Sequence, residues 1–178
     1  MTADGSVTGR GRSTSAGEAM VAELKWVHDM IRADLRTVRR LAAEVADGLD
    51  GQQAADAIQS LAVGSPLWQL KINCLQYCRF VHSHHHAESI LLFPHLRTAS
   101  PSLGPVVDKL EADHARVSDL LDEVSAAALA LAESEDRLLR KRLTQALADL
   151  GADLLAHLDY EEAQISGTLR TWTSWAGW

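Results

Sequence analysis

The chain has 178 residues and a formal net charge of -7, and 47% of its residues are hydrophobic. This length suits one domain with a substantial core. The acidic balance argues against a nucleic-acid partner, because no basic stripe could neutralise phosphates. No apolar run approaches the roughly 20 residues that cross a bilayer, so no membrane partner is expected.

The first part of the chain predicts a tail. Residues 1–18 are rich in Gly, Ser and Thr, which is typical of disorder, and they lack the apolar segment of a secretion signal. The two cysteines, Cys74 and Cys78, have i,i+4 spacing, which makes a poor disulfide and a weak metal pair. We therefore expect a reducing, cytoplasmic location and packing of both thiols in the core.

Two helices are predicted in the first half. The first spans about residues 18–47, and the stretch DGLDGQQ ends it. A short extra helix, AADAIQSLA, follows. Ser65 and Pro66 are typical of an N-cap and a first-turn proline, so a second long helix starts there and ends before Pro94. The apolar stripe of the first helix consists of Val21, Leu24, Ile31, Leu35, Val38 and Ala42.

Two further helices complete the predicted domain. A Ser-Pro-Ser signal with Pro105 opens a third helix, and Ser134 caps a fourth that ends near Leu169. Strand signals such as β-branched runs and Asn-Gly hairpins are absent. We therefore predict an all-α fold, an up-down-up-down four-helix bundle over residues 19–170, followed by a Trp-rich tail over residues 171–178.

Every predicted helix places a histidine where its stripe requires an apolar residue. In an antiparallel bundle, the starts of helices one and three neighbour the ends of two and four. A rise of about 1.5 Å per residue then puts all four imidazoles at one level. Two glutamates follow at i+4 on the same faces. The histidines are His28, His84, His114 and His157, and the glutamates are Glu88 and Glu161.

A metal site explains this layer better than packing does. A single core histidine is more often a hydrogen-bonded packing residue, but buried unpaired carboxylates cost several kcal/mol each unless a cation compensates them. Imidazole and carboxylate suit iron or zinc, and a lone ion needs three or four protein ligands. This layer supplies at least six, with His85 as a further candidate. We therefore predict two ions that share Glu88 and Glu161.

Four segments resemble the hemerythrin-like family, also called the HHE cation-binding domain, over about residues 20–170. The most specific is HHHAESILLFPHL, similar to the family's His-His-x-x-Glu followed by Leu-Phe-Pro. KWVHDMIRADL, LEADHARVSDLL and LLAHLDYEEAQI support it. The resemblance implies the bundle fold and two iron ions, oxo- or hydroxo-bridged, with zinc or manganese as substitutes. The ligands that it implies are His28, His84, Glu88, His114 and His157.

Two positions depart from the oxygen carriers of that family. Carriers place an aspartate where this chain has Glu162, whereas Glu161 matches members with His-x-x-x-Glu and is favoured by the helical phase. Carriers also have a histidine where this chain has Ser118, and His85 is the candidate replacement. Simple reversible oxygen carriage is therefore not the favoured function.

The aromatic residues allow more than one interpretation. Tyr77 lies seven residues before His84 on the same face, where its phenol could act at iron as a catalytic group or pack in the core with a polar tip. Trp172, Trp175 and Trp178 could cover the metal end of the bundle, bury against a second subunit or form a free tail. A monomer and a dimer both stay open.

The predicted site supports two functions and one structural alternative. The first is an oxidoreductase that uses dioxygen or peroxide on a small substrate with a reductant, since adjacent metals deliver two electrons together. The second is a sensor or scavenger of oxygen, nitric oxide or iron without turnover. The third is a metal-free or zinc-stabilised structural bundle. Redox chemistry is slightly favoured over binding.

Overall fold

The computed structural model of the chain describes residues 12–46, 66–134 and 136–174. Its four long helices are α1 (Ser15–Ala46), α2 (Pro66–Ala87), α4 (Gly104–Glu133) and α5 (Arg137–Leu169). Between α2 and α4 lie a π-helical turn (Glu88–Leu92), the short helix α3 (Phe93–Ala99) and a 3-10 turn (Pro101–Leu103). No strand occurs in the described ranges, so the all-α prediction is confirmed.

The long helices pack side by side as a helical bundle. α1 contacts α2 and α5, and α4 contacts the same two helices. None of the described helices combines the length and the apolar character of a bilayer span. The up-down-up-down order stays a prediction, while the extra helix AADAIQSLA, Trp175 and Trp178 lie outside the described residues. The apolar stripe predicted for α1 is buried throughout, at Val21, Leu24, Ile31, Leu35, Val38 and Ala42.

The first helix begins earlier than predicted. The hydroxyl of Thr14 accepts a hydrogen bond from the backbone N–H of Gly17 at 2.8 Å, which is the geometry of an N-cap. Helix α1 therefore starts at Ser15, and residues 15–18, predicted as tail, form its first turn.

The prediction that the second helix ends before Pro94 is wrong, because the chain stays helical to Ala99. A π-helical turn accommodates the proline, because the N–H of Phe93 donates a hydrogen bond to the carbonyl of Glu88, five residues earlier. Pro94 then occupies the first turn of α3, where its missing N–H leaves no gap in the hydrogen bonding. This π-turn also carries Glu88, a predicted ligand, and such turns are frequent at functional sites.

The cap predicted for the last helix is wrong by two residues. Ser134 follows the end of α4 in extended conformation. Asp136 caps α5 instead, because its carboxylate accepts the N–H of Leu138 at 2.9 Å. Serine and aspartate cap helices about equally well, so their local preferences did not separate the two positions.

In the part of the chain that the structure describes, the core consists of two apolar clusters with a polar layer between them. On α1, His28 lies between Leu24 of the smaller cluster and Ile31 of the larger one. The polar residues of the other helices also lie between residues of the two clusters, in the same chain order on α4 and in the reverse order on α2 and α5, so all four helices bring polar side chains to one level. The flanking pairs are Val81 and Leu92 on either side of Glu88, Leu110 and Val117 on α4, and Leu154 and Ile165 on α5.

Candidate metal centre

All seven side chains predicted as metal ligands lie in the polar layer. Six are buried, and the side chain of His84 is 11% exposed. All four long helices and the π-turn contribute, so the layer forms only in the folded bundle. The residues are His28 from α1, His84 and His85 from α2, Glu88 from the π-turn, His114 from α4, and His157 and Glu161 from α5.

The ligand atoms form two groups that share one carboxylate. Within each group, one atom from every member lies within 4.8 Å of the others. The His28 group consists of His28, His84 and Glu88, and the His114 group consists of His85, Glu88, His114 and His157.

Glu88 lies between the two groups. Its Oε1 is 3.1 Å from Nε2 of His84 and 3.8 Å from Nε2 of His28. Its Oε2 is 3.4 Å from Nε2 of His114. The two oxygens therefore face different groups, as a carboxylate that bridges two cations would.

Glu161 is the second carboxylate between the groups, and it is fully buried. Its Oε2 is 3.5 Å from Nε2 of His28 and 3.7 Å from Nε2 of His157, so it faces one imidazole of each group. Glu162, the alternative that the sequence left open, instead contacts Nδ1 of His28 from outside the layer at 3.0 Å.

Many inward-facing atoms have no hydrogen-bond partner among the described residues. They include both oxygens of Glu88 and of Glu161, despite the short distances to imidazoles. Buried polar atoms without partners are costly, and a native fold rarely keeps several together unless something else satisfies them. The Nε2 atoms of three histidines are likewise buried without a hydrogen-bond partner among the described residues; they belong to His28, His84 and His85.

Burial shifts the ionisation of the layer towards neutral groups. Loss of solvation lowers the pKa of His28, His84 and His114 to about 3 and that of His157 to about 4. It also lowers the pKa of His85. The imidazoles are therefore neutral at pH 7, the form that binds metals.

The carboxylates shift in the opposite direction. Burial, with a smaller contribution from the charge of Glu162, raises the pKa of Glu161 to about 8. Burial and the charge of Glu161 raise the pKa of Glu88 well above its usual value. Two carboxylates that resist ionisation beside neutral imidazoles make a site that favours a cation.

His85 joins the His114 group. Its ring stacks on that of His114 with centroids 4.0 Å apart, and its centroid lies 5.0 Å from that of His157. Ser118, which stands where carriers have a histidine, has its hydroxyl 3.5 Å from Nδ1 of His82 instead. His85 therefore brings a third imidazole to this group.

The outer nitrogens of His28 and His114 have hydrogen-bond partners, and that of His157 lies near a carboxylate; none of these contacts was predicted from the sequence. Such partners fix the ring orientation and select the nitrogen that faces inward. The sequence did contain a clue to these contacts, because Glu162, Ser89 and Asp113 each stand next to a predicted ligand. The contacts are His28 Nδ1 to Glu162 Oε1 at 3.0 Å, His114 Nδ1 to Ser89 Oγ at 3.0 Å, and His157 Nδ1 to Asp113 Oδ2 at 3.7 Å.

Of the aromatic residues singled out from the sequence, Tyr77 and Trp172 lie within the described ranges, and each belongs to one of the two apolar clusters. Tyr77 belongs to the larger cluster, and its hydroxyl has no hydrogen-bond partner among the described residues. Trp172 belongs to the smaller cluster and meets the ring of His95 edge-on, with centroids 4.6 Å apart. Trp172 therefore packs in the cluster on one side of the polar layer. Cys74 and Cys78 are buried and free, as predicted.

The comparison with known families agrees with this geometry. The family model described as Hemerythrin HHE cation binding domain matches residues 19–169. The chain belongs to this family. Searches of curated proteins and of solved structures found no match to the hemerythrin domain described here. The resemblance drawn from the sequence is thus confirmed, and it implies cation binding.

The donor set of this hemerythrin domain fits a metal of the iron type. Neutral imidazole nitrogens and carboxylate oxygens are the ligands that iron, zinc and manganese accept in proteins. Cations bound between Glu88 and Glu161 would give ligand bonds to the buried nitrogen and oxygen atoms of the layer that have no hydrogen-bond partner. The buried His/Glu cluster is therefore the part of the domain that could hold metal.

Proposed function

We propose that this hemerythrin domain holds two iron ions and uses them in redox chemistry with dioxygen or peroxide on a small substrate. One observation carries the proposal: two groups of buried ligand atoms share Glu88, whose oxygens face opposite ways. A single ion would leave one of these groups unsatisfied, whereas two ions use both.

The proposed ligands divide unequally between the two ions. His28 and His84 serve one position, and three imidazoles from His85, His114 and His157 serve the other. Glu88 and Glu161 contribute to both, because each faces an imidazole of either group. The position with two imidazoles has fewer protein ligands and therefore more room for a small exogenous molecule.

The chemistry divides between the metal pair and the chain. When bound, the two irons would supply two electrons to dioxygen or peroxide, and the small substrate or a separate reductant would return those electrons to them. The chain keeps its imidazoles neutral by burial and holds Glu88 and Glu161 where their charge is compensated. The apolar clusters on either side of the layer restrict bulk water, and Trp172 packs in the smaller of them.

Binding without turnover is the second candidate, and His85 favours it. Redox chemistry was favoured partly because Ser118 stands where oxygen carriers have a histidine, which would leave the site one ligand short. His85 brings a third imidazole to the same group, so the ligand set is not short of one. A full ligand set in a sealed layer also suits a sensor or scavenger of oxygen, nitric oxide or iron.

Metal analysis and optical spectroscopy test the proposal. The purified protein is expected to contain two irons and to show oxo-to-iron charge-transfer bands that vanish on reduction and return in air. Peroxide consumption over many cycles would support redox turnover, whereas stable, reversible oxygenation would support the binding alternative. A colourless protein that holds zinc, or a protein with one ion, would contradict the iron pair.

A further inference from the structure

The outer side of His28 has an anionic partner that is itself held in place. Oε1 of Glu162 lies 3.0 Å from Nδ1 of His28 and 2.8 Å from a guanidinium nitrogen of Arg32. Its Oε2 lies 3.9 Å from the ammonium of Lys25. The other terminal nitrogen of Arg32 binds Asp159 at 2.7 Å, so the guanidinium is anchored on both sides.

The other two outer contacts are of a different kind. The partner of His114 is the neutral hydroxyl of Ser89, at 3.0 Å. The partner of His157 is the carboxylate of Asp113, but it lies 3.7 Å away, beyond hydrogen-bond reach, and pairs with Lys109. Of these three contacts, only that of His28 is a short hydrogen bond to a carboxylate.

We propose that Glu162 is a positioning residue that acts through His28 on one of the two metal positions. The inference rests on the proposed iron pair and adds a difference between its two positions. An imidazole that donates its Nδ1–H to a carboxylate keeps the Nε2 lone pair directed inward and becomes a more basic ligand. Glu162 therefore strengthens the position that His28 serves.

Arg32 gives this contact its direction. Without Arg32, the Glu162 side chain could turn towards the polar layer and compete with the neighbouring Glu161 for the metal. The two shorter hydrogen bonds of Arg32, to Glu162 and Asp159, hold Glu162 on the outer face of His28. Charged hydrogen bonds of this length are among the stronger polar contacts in proteins. The side chain of Glu162 is 17% exposed, so an isosteric replacement there is compatible with folding.

Cobalt(II) titration of metal-free protein tests the proposal, since the visible absorption of cobalt reports both binding and coordination. Glu162→Gln keeps the size of the side chain but removes the charge. We expect one cobalt equivalent to bind roughly 10- to 100-fold more weakly, with an altered spectrum, while the other equivalent is unchanged. Equal weakening of both equivalents, or of neither, would overturn the proposal.

Three variants separate positioning from general destabilisation. Arg32→Gln leaves both Glu162 and His28 in place, and it should weaken the same equivalent by a smaller factor. Ser89→Ala, on the outer face of His114, should affect only the other equivalent. Asp29→Asn removes an exposed carboxylate on the same helix turn, 3.4 Å from Arg32, and should change neither. Arg32→Gln acting on the other equivalent would contradict the assignment.

The titration also separates this inference from the proposed function. Wild-type protein that binds two equivalents supports the metal pair whatever the variants do. Wild-type protein that binds only one contradicts the pair. In that case, the effect of Glu162→Gln on the remaining equivalent still decides whether Glu162 acts through His28.

Discussion

His114 on α4 and His157 on α5 direct their Nε2 atoms at each other across 3.1 Å. Both side chains are buried, and burial keeps both rings neutral at pH 7. Two neutral imidazoles in this arrangement can share one proton at most, whereas a cation takes up both lone pairs. The facing pair therefore marks the His114 group as a place where metal binding and folding are coupled.

His157→Ala is expected to remove metal and stability together. A ligand present at about 1,000 times its Kd stabilises the native state by about 4 kcal/mol, and the variant should lose most of that gain. Metal analysis and thermal unfolding with and without added iron measure the two effects. His86→Ala, an exposed residue beside His85, is the control and should behave as wild type. Full metal content in His157→Ala would contradict the ligand assignment.

The metal-free protein should be most stable near pH 6.5. Below that pH, stability falls, because the unfolded histidines take up protons near 6.5 whereas the folded ones do so only near pH 3 to 4. Above it, stability falls again, because folded Glu161 keeps its proton up to about pH 8 whereas the unfolded side chain loses it near 4.5. Urea unfolding across pH 4 to 9 measures the free energy of unfolding on the acidic and the alkaline side of this maximum, called the acidic and alkaline limbs below.

Glu161→Gln provides the control for the alkaline limb. Glutamine cannot ionise, so the metal-free variant should lose less stability than wild type between pH 6.5 and 8, while it binds metal more weakly. An unchanged alkaline limb would show that Glu161 does not titrate in that range.

The helical period explains why much of the site could be predicted from the sequence. The face of a helix on which a residue lies follows from its place in the 3.6-residue period, and its distance from the helix end follows from the rise per residue. The common level of His28 and His157 could therefore be predicted. The π-turn could not, because the widening before Pro94 is a tertiary adjustment that no local signal prescribes. The partnership of Glu162 with Arg32 was also missed, because it depends on how the side chains of two helices meet.

Gly17→Ala should destabilise the bundle by about 1 to 3 kcal/mol. A Cβ at this position would overlap the backbone carbonyl of Arg170, because the chain after α5 crosses the first turn of α1 there. Thr14 fixes the same crossing, since its N–H donates to the carbonyl of Arg170 at 2.9 Å and its hydroxyl donates to that of Trp172. Thermal unfolding measures the loss.

Gly167→Ala is the matched control, since a Cβ at this helical position meets nothing within 4 Å. It should be stabilised by roughly 0.5 to 1 kcal/mol, because alanine has the higher helix propensity. Equal effects of the two substitutions would contradict a close approach at Gly17.

Tyr77→Phe distinguishes the two roles that the sequence left open for this residue. Its hydroxyl is buried without a partner, and burial raises its pKa, so the phenol stays protonated. Removing an unsatisfied hydroxyl should therefore stabilise the protein by about 1 kcal/mol and leave iron content and the visible spectrum unchanged. Loss of a charge-transfer band, or of peroxide turnover with normal iron content, would instead show that the phenol acts at the metal pair, as the catalytic assignment requires.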